Sequence, residues 1–242
     1  MSPEPPVLRP TEGFVIAQGL RETRATFQRW RADPAPVIGP WLAGGLGVAV
    51  GLLLAVWVVS WFAPADLTPI YIPGVQGPAT TTAFRGIIGL NLLVLALHAT
   101  ACVAGFIAGS SMHKIAETKT GFSRMIHERA GPVAIAWVAA VTVFSLCTQA
   151  LALGMTAATL SAQLGISSAV LILTVLPHAL LELTAIFLPL AAWLIASRRG
   201  DWDDLLAATF VTVGLALPML VLAAVIELTV WPLLLEAVSP LA

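Results

Sequence analysis

The chain has 242 residues, of which 58% are hydrophobic and only 10% charged, with a net charge of −1 and a mean hydropathy of +0.92. Soluble domains carry about 25% charged residues, so the composition excludes an ordinary water-soluble domain and points to an integral membrane protein. No Gly-rich phosphate loop, Ser/His/Asp arrangement or basic nucleic-acid patch interrupts the apolar sequence, and no nucleic-acid partner is expected. The fold class is all-α: a transmembrane helical bundle with an N-terminal amphipathic helix.

Residues 1–40 form a region of their own, expected to be cytoplasmic. Seven of the seventeen prolines fall in it, and the opening MSPEPPVLRP lacks the basic-then-apolar pattern of a cleavable signal peptide. Between the prolines, Ile16, Leu20, Phe27 and Trp30 share one helical face, with Arg21, Arg24, Arg29 and Arg31 around the rest. That pattern suits an interfacial helix on an anionic leaflet, or a solvated helix packed on the protein's own loops.

Residues 41–242 then form the bundle, whose five apolar spans are expected at about 41–63, 86–109, 131–158, 166–196 and 204–234. Each matches the ~30 Å hydrocarbon thickness at 1.5 Å rise per residue. Trp41, Trp57, Trp61, Trp193, Trp202 and Trp231 fall near span ends, as interfacial aromatic belts do. With the N-terminus inside, eleven Lys and Arg side chains lie on cytoplasmic segments and Arg85 alone lies outside. The positive-inside rule therefore predicts N-in, C-out in the cell membrane. The segment 64–85, rich in Pro, Gly and Thr, reads as an external connector. The segment 110–130, with His113 and His127, reads as a basic cytoplasmic loop. Cys102 and Cys147 lie inside spans, and neither a disulfide nor a cysteine metal site is expected.

The chemistry lies in the polar residues at membrane depth: Asn91 and His98, Gln149, His178 and Glu182, and Glu227. An acid in mid-bilayer costs about 2.5–3.5 kcal/mol on insertion scales, so it should face the bundle and find a partner. His178 and Glu182 are four residues apart, hence on one helical face. Pro177, Pro189 and Pro218 lie within spans and are expected to bend them. Three readings stay open for this cluster. It is a polar glue between helices, a path for protons or ions, or a zinc site on His98, His178 and Glu182. The chain lacks HExxH and a visible general base, so no metal, cofactor or enzymatic activity is expected.

The order GIIGLNLLVLALHATACVAGFIAG, QALALG, LPHALLELTAIFLPLAAWL and AAVIELTVWPLLLE resembles the stage II sporulation protein M family over about residues 86–240. That family carries an Asn at the head of a span, an N-G-L-x-L-G-like turn, a P-H-G-x-x-E segment and a closing I-E-x-x-x-x-P. Asn91, Pro177, His178, Glu182, Glu227 and Pro232 sit on the pattern. Gln149 and Ala150 stand where the family has Asn-Gly, Ala179 replaces the Gly after the histidine, and His98 has no place in it. The resemblance implies a membrane protein that, in spore formers, works with cell-wall-degrading partners during engulfment. The first expectation is thus a non-enzymatic scaffold or subunit of a cell-envelope complex. Its partners would be the lipid bilayer and membrane or cell-wall-remodelling proteins, with a homo-oligomer also open. The alternative is a transporter or channel-like subunit that handles protons or ions through the His/Glu cluster.

Overall fold

A computed structural model describes residues 15–66, 68–111 and 121–241. They form six long helices: α1 (Val15–Ala32), α2 (Ala35–Phe62), α3 (Thr81–Phe106), α4 (Gly121–Gln163), α5 (Ser168–Arg199) and α6 (Leu205–Val238). A π turn, Ile107–Ser111, extends α3, and a 3-10 turn, Trp202–Asp204, leads into α6. Five helical segments are long and apolar enough to cross a bilayer: Ala35–Phe62, Thr81–Gly109, Ile135–Gln163, Ser168–Arg199 and Trp202–Val238. The protein is a multi-pass α-helical membrane protein.

The helix starts explain why some boundaries differ from the hydropathy reading. Pro34 and Pro36 open α2, positions where a missing N–H costs nothing, so the span begins at Ala35, before the apolar run itself. The Thr80 hydroxyl accepts from the Ala83 N–H at 3.1 Å, which caps α3 five residues ahead of its expected start and shortens the connector. Within 110–130, helix α4 already begins at Gly121. His113 lies outside the described residues, as does the side chain of His127.

Helix α5 is the centre of the bundle, and α6, α2 and α3 all pack on it. Ten consecutive residues, Thr184 to Trp193, are buried on every side of this helix. Of the residues in its apolar stretch 44% are buried, against 6% for α4, which therefore lies at the periphery. Small residues set the close approaches. A Cβ on Gly45 of α2 would come 3.0 Å from the Thr184 carbonyl of α5, and one on Gly154 of α4 would come 2.5 Å from Val59 Cβ of α2. Close backbone contact of this kind is how helices associate where lipid removes the hydrophobic drive.

The far ends of α2, α4 and α6 meet on one face of the bundle. There the connector 63–80 is tied down by Thr159, whose hydroxyl accepts from the Asp66 N–H at 3.0 Å. Gln163 accepts from the Ile70 N–H at 3.1 Å and donates to the Thr68 carbonyl at 2.7 Å. Ser239 donates to the Leu164 carbonyl at 2.6 Å, which fixes the end of α6 to the α4–α5 turn.

At the opposite face α1 docks on the start of α6. The Thr26 hydroxyl donates to Asp204 at 2.8 Å, Arg29 pairs with the same carboxylate oxygen at 2.6 Å, and Trp30 meets Trp41 edge-on at 5.3 Å. Of the apolar face read in the sequence, Trp30 packs on the bundle and Phe27 does not, while the side chains of Ile16 and Leu20 lie outside the described residues. Thr23 and Thr26 are buried, Thr26 to 1% exposure, while Phe27 is 38% exposed. Hydrogen bonding of Thr26 to Asp204 and the Trp30–Trp41 contact together hold α1 on that side. The tryptophans also differ from a simple belt. Trp41 and Trp193 are buried in the bundle, and only Trp61 of the six is strongly exposed.

Candidate functional site

Three of the intramembrane polar residues, His178, Glu182 and Glu227, line one cleft, and Asn91 approaches Glu182 from α3. On α5, His178 and Glu182 stand one turn apart; on α6, Glu227 and Trp231 stand one turn apart, four residues in each case. The two helices pack along each other and turn both pairs toward one cleft of about 320 Å³. Leu53 and Val56 of α2 and Leu153, Thr156 and Leu160 of α4 complete its walls. The cleft lies between mid-span and the face that carries the 63–80 connector.

Inside it the polar groups are short of partners. His178 is 7% exposed, and its Nδ1 has no hydrogen bond. Asn91, on α3, is 8% exposed. Its amide approaches Glu182, yet its buried Nδ2 completes no hydrogen bond. Glu182 and Glu227 both line the cleft. No salt bridge to either acid is formed among the described residues. Two carboxylates lining one cleft in a medium of low dielectric constant, with no salt bridge to either, attract positive charge into it.

The aromatic side of the site is ordered. The Trp231 ring lies 5.5 Å from that of His178, tilted by 56°. Its indole N–H donates to Thr174 Oγ1 at 3.3 Å, and that hydroxyl donates in turn to the Leu171 carbonyl at 2.7 Å. Trp231 was read in the sequence as a belt residue. Its place four residues after Glu227 was the available signal that it shares the face of the acid.

His98 and Gln149 lie elsewhere. The His98 ring donates through Nδ1 to the Val94 carbonyl at 2.9 Å and packs edge-on against Phe187 at 5.2 Å. It borders a second cleft, of about 270 Å³, between α3 and α4. The Gln149 amide donates to Ser145 Oγ at 3.0 Å, and Ser145 borders that second cleft. His98, His178 and Glu182 are therefore not one ligand set. Among the described residues no three His, Cys, Asp or Glu side chains are grouped to hold a metal ion.

The prolines fall inside continuous helices, Pro177 and Pro189 in α5 and Pro218 and Pro232 in α6. Pro177 places a missing N–H one residue before His178, at the edge of the cleft. The Pro189 carbonyl accepts from the Cys102 thiol at 3.0 Å, which ties α3 to α5. The chain matches no family model, no curated protein and no solved structure.

Proposed function

We propose that the protein is a transporter or channel-like membrane subunit that takes up a positive charge, a proton or a cation, in the cleft lined by His178, Glu182 and Glu227. The observation that carries this reading is that two acids with no salt bridge among the described residues and an imidazole with an unpartnered Nδ1 line one cleft. A polar glue needs its groups satisfied by each other, whereas these wait for a guest. On this reading residues 1–40 are cytoplasmic, residues 41–242 are the membrane bundle, the orientation is N-in and C-out, and the cleft opens toward the outside. Pro177 bends α5 there, and Pro189 and Pro218 bend the rest of the helix pair.

The test is flux of protons and monovalent cations into liposomes holding the purified protein. Glu182→Gln and Glu227→Gln keep hydrogen-bonding amides but remove the charges, and each should abolish flux while the protein stays monodisperse. Full flux in both variants rejects the reading.

A second reading is favoured by a different observation. Asn91, His178, Glu182 and Glu227, which sit on the stage II sporulation protein M pattern, are the residues that converge, while His98 and Gln149 lie apart. This supports a scaffold of that family in a cell-envelope complex, with membrane or cell-wall-remodelling partners. Glu182→Gln would then preserve assembly with those partners, and no flux would be seen in the unaltered protein.

A further inference from the structure

We propose that the guest of the cleft is an organic cation with an apolar body, an ammonium or guanidinium group carried on a hydrocarbon or aromatic frame. The inference rests on the cation-binding reading above and names the class of cation.

Size is the first argument. A proton needs no cavity, and a bare or partly hydrated inorganic ion needs room for only a few waters at ~30 Å³ each. The cleft holds about 320 Å³, within the range of roughly 300–1,000 Å³ that small organic ligands occupy.

Ligand chemistry is the second. A hard inorganic cation wants about six oxygen donors. Beyond Glu182 and Glu227, the one other side-chain oxygen in the lining is the Thr156 hydroxyl, which donates to the Ala152 carbonyl at 3.0 Å. Two carboxylates and one hydroxyl offer at most five oxygens, and among the described residues no three His, Cys, Asp or Glu side chains are grouped to hold a metal ion, so an inorganic ion there would have to keep waters of its own. An alkylated ammonium asks for something different, namely neutralisation of one charge and dispersion contact around the rest. The acids supply the charge, Trp231 supplies an aromatic ring for cation–π attraction, and Leu160, Leu171 and Val175 supply apolar wall. The His178 ring, 93% buried with a free Nδ1, completes the polar end and offers an acceptor or donor to a guest that carries N–H groups.

The experiment is equilibrium binding of radiolabelled benzyltrimethylammonium to the purified full chain in phosphatidylcholine nanodiscs. We expect saturable binding that unlabelled benzyltrimethylammonium displaces and its uncharged carbon analogue, neopentylbenzene, does not. Affinity should fall at least tenfold in Glu182→Gln and Glu227→Gln and several-fold in Trp231→Leu, with Trp231→Phe close to the unaltered protein. Displacement by neopentylbenzene, or binding indifferent to both glutamine variants, would mean simple partitioning and overturn the proposal. Absence of saturable binding, with acid-dependent proton or sodium flux intact, overturns the organic cation but leaves the transport reading standing. Absence of both binding and flux removes the two together. The displacement arm uses the unaltered protein, so it decides even where a variant fails to fold.

Discussion

The rings of His178 and Trp231 stand 5.5 Å apart and tilted by 56°, with the indole N–H held by Thr174. An imidazolium quenches a neighbouring indole far more than a neutral imidazole does, so Trp231 should report the charge on His178. Acidification of the purified protein should lower tryptophan emission by a component that disappears in both Trp231→Phe and His178→Gln. A pH response unchanged in either variant would show that the two rings are not in contact in the membrane.

Packing of α4 on α2 rests on Gly154. A valine there would drive Cβ to within 2.5 Å of Val59 Cβ, and neither side chain has a flexible end to move. Overpacking of this kind costs roughly 1–3 kcal/mol. Gly51, on α2, is exposed and has nothing within 4 Å of an added Cβ. Gly51→Ala should therefore gain about 0.5–1 kcal/mol of helix stability. Thermal melts in detergent should separate the two variants in opposite directions. Gly154→Val carries a second consequence, because Leu153 and Thr156 next to it wall the cleft.

Asp204 holds α1 through Thr26 and Arg29, and Arg29 is 63% exposed in that pair. The exposed ion pair is worth at most about 1 kcal/mol and weakens with salt. The Thr26 hydroxyl, which still accepts from Arg29 at 2.8 Å but loses the acceptor of its own O–H, adds a desolvation loss of about 1 kcal/mol. Asp204→Ala should accordingly loosen α1 without unfolding the bundle. Hydrogen exchange should rise across residues 15–32 and stay unchanged in α5. Protection of α1 equal to that of the unaltered protein would mean that the Trp30–Trp41 contact alone holds it.

The spans were legible because a bilayer demands about twenty apolar residues and little else supplies them. The helix starts were less so. Thr80 caps α3 from within a polar stretch, and Pro34 and Pro36 open α2 ahead of its apolar run, so hydropathy placed both starts late. Periodicity found only part of the face of α1: Trp30 packs on Trp41, but Thr26 is buried for a partner 178 residues away. For the site, the i, i+4 rule puts His178 and Glu182 together on α5 because both lie on one helix. Depth alone cannot say which way a neighbouring helix is turned. His98 is halfway along its span and yet faces Phe187 and the second cleft, while Asn91, two turns away, reaches Glu182.

If all five candidate helices cross, the termini lie on opposite sides, and the N-in, C-out orientation proposed above follows from the positive-inside rule. A phosphatase reporter fused after Ala242 should be active, as an enzyme that works only outside, and one fused ahead of Met1 should be silent. Activity at both ends would require an even number of crossings. The peripheral α4, with 6% of its apolar stretch buried, would then be the first helix to re-examine.

Asn91 separates stability from binding. Its Nδ2 is buried without a completed hydrogen bond, so the amide carries a desolvation cost that its approach to Glu182 offsets only in part. Replacing it with leucine, close in volume and apolar, should leave the melting temperature unchanged or raise it, by the equivalent of up to about 1–3 kcal/mol. The same amide approaches Glu182 and is the one neutral donor near that carboxylate from α3. Its removal leaves the acid with less polar support and should weaken cation binding several-fold. Opposite movements of melting temperature and affinity identify Asn91 as a group kept for the guest. If stability drops instead and binding follows it, Asn91 is a strut between α3 and α5, and the scaffold reading gains what the transport reading loses.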